Sequence, residues 1–172
     1  HADYLMFIDA DETLLVDQAV NWGGFTELAY YFTFLHGNLS YQRNALVSTQ
    51  IDWHWQGVLH EYLDSPSSHQ WYQVAGIYVT SRHNEGARGK DPDTYLKDVA
   101  ILQQGLKDEP DNLRYQFYLA QSYRDAELFE LAYQAYDQRA KSGGWEEERW
   151  VAQCWAARLM ERLNYPTEQV FT

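Results

Sequence analysis

The sequence predicts an α+β protein in two parts, a mixed β-sheet over residues 1–90 and an α-helical array over residues 91–172. Three observations predict it. Up to Thr80, apolar, aromatic and β-branched residues come in runs of strand length, cut by turn-forming Gly, Asn, Ser and Pro. Residues 81–92 are then polar and glycine-bearing, and mark a boundary and a functional loop. Beyond Pro92 the strand signals vanish and apolar residues recur every 3.6 positions.

The elements follow in order. Tyr4-Leu5-Met6-Phe7-Ile8 has the bulk of a strand buried on both faces. Asp9-Ala10-Asp11-Glu12 then places three carboxylates within four positions, at the carboxyl end of that strand, where open α/β sheets bind ligands. Residues 13–22 read as a short helix or loop, broken by Gly23-Gly24. Residues 25–35, rich in Tyr, Phe and Thr, and residues 39–48 form a hairpin about the turn His36-Gly37-Asn38, with Tyr41, Arg43, Ala45 and Val47 on one face. Residues 51–63 are strand and loop, 64–68 carry loop chemistry, and 71–80 form a further strand. Helices are expected over 94–107 (Leu96, Val99, Leu102 and Leu106 on one side), 113–124 (packing through Phe117, Leu119, Ala120 and Tyr123), 129–141 (Leu131, Ala132, Ala135 and Tyr136) and 145–163. Ser142-Gly143-Gly144 stops the third, and Pro166 follows the fourth.

Composition narrows the function. Apolar residues make up 45% of the 172 and aromatics 16%, which excludes a disordered chain. The net charge is −12, so the chain has no field to gather nucleic acid or an anionic membrane. No run of 18 apolar residues is present to span a bilayer, and His1-Ala2-Asp3 leads directly into the first strand without a signal peptide. Cys154 has no intrachain partner, which fits a reducing, cytoplasmic setting. There is no G-x-S-x-G, phosphate-loop lysine motif or C-x-x-C to suggest other chemistry.

Asp9 and Asp11 offer hard oxygens of the kind Mg2+ or Mn2+ takes beside phosphate oxygens; the same two residues also suit a plain turn. Phe7-Ile8-Asp9-Ala10-Asp11-Glu12 resembles the hydrophobic-D-x-D-E segment of family 2 glycosyltransferases of the GT-A fold. Trp55-Gln56-Gly57-Val58-Leu59-His60-Glu61 resembles the W-x-G-x-x-H-E block of one bacterial and viral branch, whose members carry a tetratricopeptide-like tail. The tail here is similar. Counted from Leu113, Leu119, Ala120, Tyr123, Ala132 and Tyr136 fall at the small and aromatic places of a 34-residue repeat and Pro110 at a closing proline, while Gln116 stands where Trp is usual.

The resemblance implies a metal-dependent transfer of sugar from a nucleotide-diphosphate sugar to a hydroxyl of a saccharide or protein acceptor, with inversion. It implies Asp9 and Asp11 as metal ligands, Asp11 the more direct, and Glu61 as base, with His60 where an acid often stands. His83, in the loop after the last strand, is the third-ligand candidate, and His60 competes for that role. Arg82 and Arg88 would clamp phosphate oxygens, and Trp55 would stack on a sugar; each also has a plainer reading as a solvated or packing residue. The family places a nucleotide-binding portion of roughly a hundred residues ahead of D-x-D. The chain is therefore expected to be a piece of a larger enzyme, inactive alone. A helical-repeat module that binds a protein partner, its sheet non-catalytic, is the alternative.

Overall fold

The computed structural model describes residues 2–81 and 91–170. The chain divides into two compact units, His1–Lys90 and Asp91–Thr172. The first is a mixed sheet and the second is helical, so the class is α+β. Among the described residues no helix is long and apolar enough to cross a membrane.

Seven strands are described in the first unit: β1 (Tyr4–Met6), β2 (Glu12–Val16), β3 (Ala29–His36), β4 (Leu39–Ser48), β5 (His54–Gln56), β6 (Tyr62–Asp64) and β7 (Trp71–Ser81). Five form one sheet in the order β1-β4-β3-β7-β2; β5 and β6 pair separately as a hairpin. β3 and β7 run parallel, and the other neighbours run antiparallel. The β3–β4 hairpin turns on Gly37-Asn38, where Gly37 adopts φ 56°, a value that suits glycine.

β7 serves two partners because it is bent. Its pairing with β3 jumps from Tyr31↔Gln73 to Thr33↔Tyr78, leaving three extra residues on β7. Gly76 sits in that bulge at φ 81°, its carbonyl accepts from the Asp17 amide at 2.8 Å, and an added Cβ would lie 3.1 Å from Val20. Past the bulge, β7 takes β2 as its second neighbour, from Val16↔Ile77 to Glu12↔Ser81. Tyr30, Phe32 and Phe34 alternate along β3 onto one face, where they pack with Ile77, Val79 and Leu46. On the opposite face Ala29, Val47 and Leu63 are buried with Phe7, Trp53 and Trp71 beside them, so the β5–β6 segment covers that side.

Three expectations change. The run 4–8 is an edge strand of three residues with Leu5 48% exposed, because β4 is its one sheet neighbour. Residues 12–16 form a strand and not a helix or loop, since the ladder with β7, more than sixty residues away, outweighs local preference. Strand 25–35 begins only at Ala29, because the Tyr30 hydroxyl accepts from the amides of Thr26 and Glu27 at 2.8 and 2.7 Å and holds them in a bend.

The second unit holds α1 (Thr94–Asp108), α2 (Leu113–Asp125), α3 (Phe129–Lys141), α4 (Glu146–Arg162) and a last turn, α5 (Thr167–Val170). Asn112 caps α2 by accepting from the Tyr115 amide. Ala120, Ala132, Ala140, Ala152 and Ala156 let helices approach, while Tyr123, Tyr136 and Leu159 fill the space beside them. Leu96 and Leu131, expected to pack, are exposed; the buried side of α3 runs through Ala132, Tyr136, Arg139 and Ala140. Arg139 is fully buried, donating to Glu148 at 2.9 Å and to the Gly143 carbonyl at 3.0 Å, and so fastens the α3–α4 turn.

That turn yields a paired prediction. Gly144 has φ 85°, and a Cβ there would stand 2.6 Å from Leu113 Cδ1, whereas a Cβ at Gly143 meets nothing within 4 Å. Gly144→Ala should cost about 1–3 kcal/mol, and Gly143→Ala less than about 0.5 kcal/mol, in urea melts followed by helical circular dichroism.

Candidate functional site

The segment after β1 closes on itself. The Glu12 amide donates to the Asp9 carbonyl at 3.0 Å, and the Asp9 amide donates to Glu12 Oε2 at 2.8 Å. The Glu12 carboxylate is thereby drawn inward, to 4% side-chain exposure. A buried carboxylate requires a cation. Arg43, on β4, supplies it: Nη2 lies 2.8 Å from Glu12 Oε2, Nη1 lies 3.3 Å from Asp9 Oδ2, and the guanidinium rests 4.0 Å over the Phe34 ring. Asp9 stays at the rim, its side chain 68% exposed.

The W-x-G-x-x-H-E block is the β5–β6 hairpin. Residues 57–61 make its loop, with Gly57 at φ 104° and His60 at φ 53°, and buried Leu59 anchors it. Positive φ at Gly57 suits a glycine at that position. Trp55 and Phe7 meet edge to face with ring centres 5.3 Å apart and the planes at 86°, yet Trp55 remains 55% exposed. The Asn44 amide donates to the Leu63 carbonyl at 3.4 Å and ties the hairpin to β4.

Between the post-β1 segment, β4 and this hairpin lies a cleft of about 630 Å3. Asp9, Arg43, Asn44, Trp55, Glu61 and Tyr62 are among its lining residues. Three residues singled out in the sequence, Asp9, Trp55 and Glu61, thus come to one place. Asp11 and His60 are not among the lining residues. His83, Arg82 and Arg88 lie outside the described residues.

Among the described residues no three histidine, cysteine, aspartate or glutamate side chains assemble as a metal-ligand set. The cleft does supply two exposed carboxylates, Asp9 and Glu61, which fits ions that take one or two carboxylates and complete their shell with phosphate and water. Sequence reasoning placed Arg43 on a strand face without a role. The signal was there: Arg43 is the only lysine or arginine in residues 1–81, against nine aspartates and glutamates.

The Arg43–Glu12 pair is open to a thermodynamic test. Arg43→Ala should lower stability by about 2–3 kcal/mol by leaving Glu12 buried and unpaired, and Arg43→Ala/Glu12→Gln should recover at least half of that. Denaturant titration of tryptophan fluorescence measures the cycle; independent, additive losses would show that the two groups do not act as a pair.

No protein-family model matches the chain, and no curated protein matches it. The functional reading rests on the cleft.

Proposed function

We propose that this chain is a metal-dependent glycosyltransferase of GT-A, family 2 type, which moves a sugar from a nucleotide-diphosphate sugar to a hydroxyl of a saccharide or protein with inversion. The observation that supports the reading is the shared cleft of Asp9, Trp55 and Glu61, residues that the D-x-D-E and W-x-G-x-x-H-E segments contribute from fifty positions apart. Asp9 and Asp11 would hold Mn2+ or Mg2+ by carboxylate oxygens, with His83 as a further ligand. A bound divalent ion supplies neutralisation of the charge that gathers on the departing diphosphate.

This chain's residues do the rest. Glu61 takes the proton from the acceptor hydroxyl, whose oxygen forms the new bond to the anomeric carbon as the diphosphate leaves with the electron pair. Attack from the face opposite the leaving group inverts the centre. Trp55 offers an exposed aromatic face for a sugar ring. Arg82 and Arg88 neutralise phosphate oxygens. The helical unit is a tetratricopeptide-like array, and the setting is cytoplasmic. The alternative reading, a helical-repeat interaction module, is favoured by one feature: Trp145 and Trp150 stand exposed at and near the start of α4.

The two readings separate in a binding experiment. Mn2+ added with a nucleoside diphosphate should change tryptophan fluorescence. Asp9→Asn should weaken the response about tenfold or more, and Trp55→Phe should remove most of the signal. A chain whose fluorescence and melting temperature ignore both ligands is the interaction module.

A further inference from the structure

We infer that a hollow in the helical unit, between the end of α2, the start of α3 and the later turns of α4, binds a phosphate monoester through Arg158 and Arg162. The inference does not rest on the glycosyltransferase reading.

Three arginines, Arg124, Arg158 and Arg162, line one hollow of about 410 Å3. Abundance does not explain the gathering, because residues 91–172 hold fifteen aspartates and glutamates against nine lysines and arginines. Arg124 is already engaged. Its Nε and Nη2 each lie 2.7 Å from Asp125 Oδ1, and Nη1 donates to the Tyr136 hydroxyl at 3.3 Å. Arg158 and Arg162 differ. Among the described residues neither meets a carboxylate, and each lies instead over an aromatic ring, Trp155 at 5.1 Å and Phe129 at 4.0 Å. Arg124 lies over the same Trp155 at 4.2 Å. A ring against the flat of a guanidinium holds the cation in place and leaves its N–H edge to a ligand. Positions 158 and 162 are one turn apart on α4, so the two forks leave the same side of the helix. Arg162 also complements the carboxyl end of α4, as Arg124 does for α2. Arg158, a turn further back, has no such role. Two carboxylates share the lining: Asp125 is bound to Arg124, and Glu127 is exposed. The hollow thus keeps a positive charge in a chain of net charge −12. A phosphate monoester suits it better than a carboxylate. It brings about two negative charges and three acceptor oxygens, enough for both forks, whereas the two oxygens of a carboxylate are matched by one.

The test titrates the whole chain, by calorimetry at low salt, with glucose 6-phosphate and with a phosphoserine peptide free of other charges. Both should bind, and the same peptide with serine or glutamate in place of phosphoserine should bind at least about tenfold more weakly. Tighter binding of the peptide than of the sugar phosphate assigns the ligand to a modified protein segment; equal or weaker binding assigns it to a small phosphorylated molecule. Arg158→Gln and Arg162→Gln should each weaken binding about three- to tenfold. Glu127→Gln removes the exposed carboxylate from the lining and should tighten binding about two- to threefold. That variant gains affinity, so it carries the test should an arginine variant fail to melt cooperatively. Absence of binding by both phosphate probes, equal binding of the glutamate peptide, or an affinity that none of the three substitutions moves overturns the inference, and the arginines then only cover Trp155 and Phe129.

Discussion

The sheet unit depends on a contact between strands that are not neighbours. Arg43 belongs to β4 and Glu12 to β2, and β3 and β7 lie between them in the sheet. In a flat sheet three strand spacings would set their backbones about 14 Å apart. The two side chains nevertheless meet at 2.8 Å. The sheet is therefore curled, and the ion pair closes the curl. The link from β1 to β2 demands the same. These strands lie on opposite edges, yet only residues 7–11 join them, and the turn formed by the Glu12 amide on the Asp9 carbonyl shortens their reach. Five residues with a turn among them cannot cross a flat five-stranded sheet.

Once the curl is set, the cleft follows. The bulge at Gly76 bends β7 so that it can serve β3 and β2 in turn. The concave aromatic interior closes over Tyr30, Phe32 and Phe34. The other face needs its own cover, and the β5–β6 segment provides it through Leu63 and, just ahead of β5, Trp53, which pack beside Trp71 of β7. That cover does not fill the space beside the post-β1 segment. Trp55 and Glu61 are left facing Asp9 and Arg43 across the gap. A structural need, covering an apolar sheet face, and a chemical one, bringing carboxylates and an aromatic ring together, are met by the same hairpin.

The helical unit shows a different logic. Its packing is local: each of α1 to α4 meets the next through small residues, with tyrosines between them. One buried polar group braces a turn: Arg139, between α3 and α4. Burial raises the phenol of Tyr136 well above its usual range, so it stays a neutral hydroxyl that accepts from Arg124. In this unit short-range periodicity and final structure agree closely.

That contrast divides what was legible from what was not. The sequence by itself determined the α+β class, the four helices to within about a residue or two, the β3–β4 hairpin and β7, because each rests on a period of 3.6 or on propensity and turn residues close in the chain. It also singled out Asp9, Trp55 and Glu61. It did not show that residues 12–16 form a strand, that Tyr4–Met6 lies on an edge, or that Arg43 is the partner of Glu12 and Asp9. Those outcomes depend on pairing over thirty to seventy positions. No local pattern encodes which distant strand will be the neighbour, and only closure of the sheet brings a lone cation to a carboxylate that folding has taken out of water.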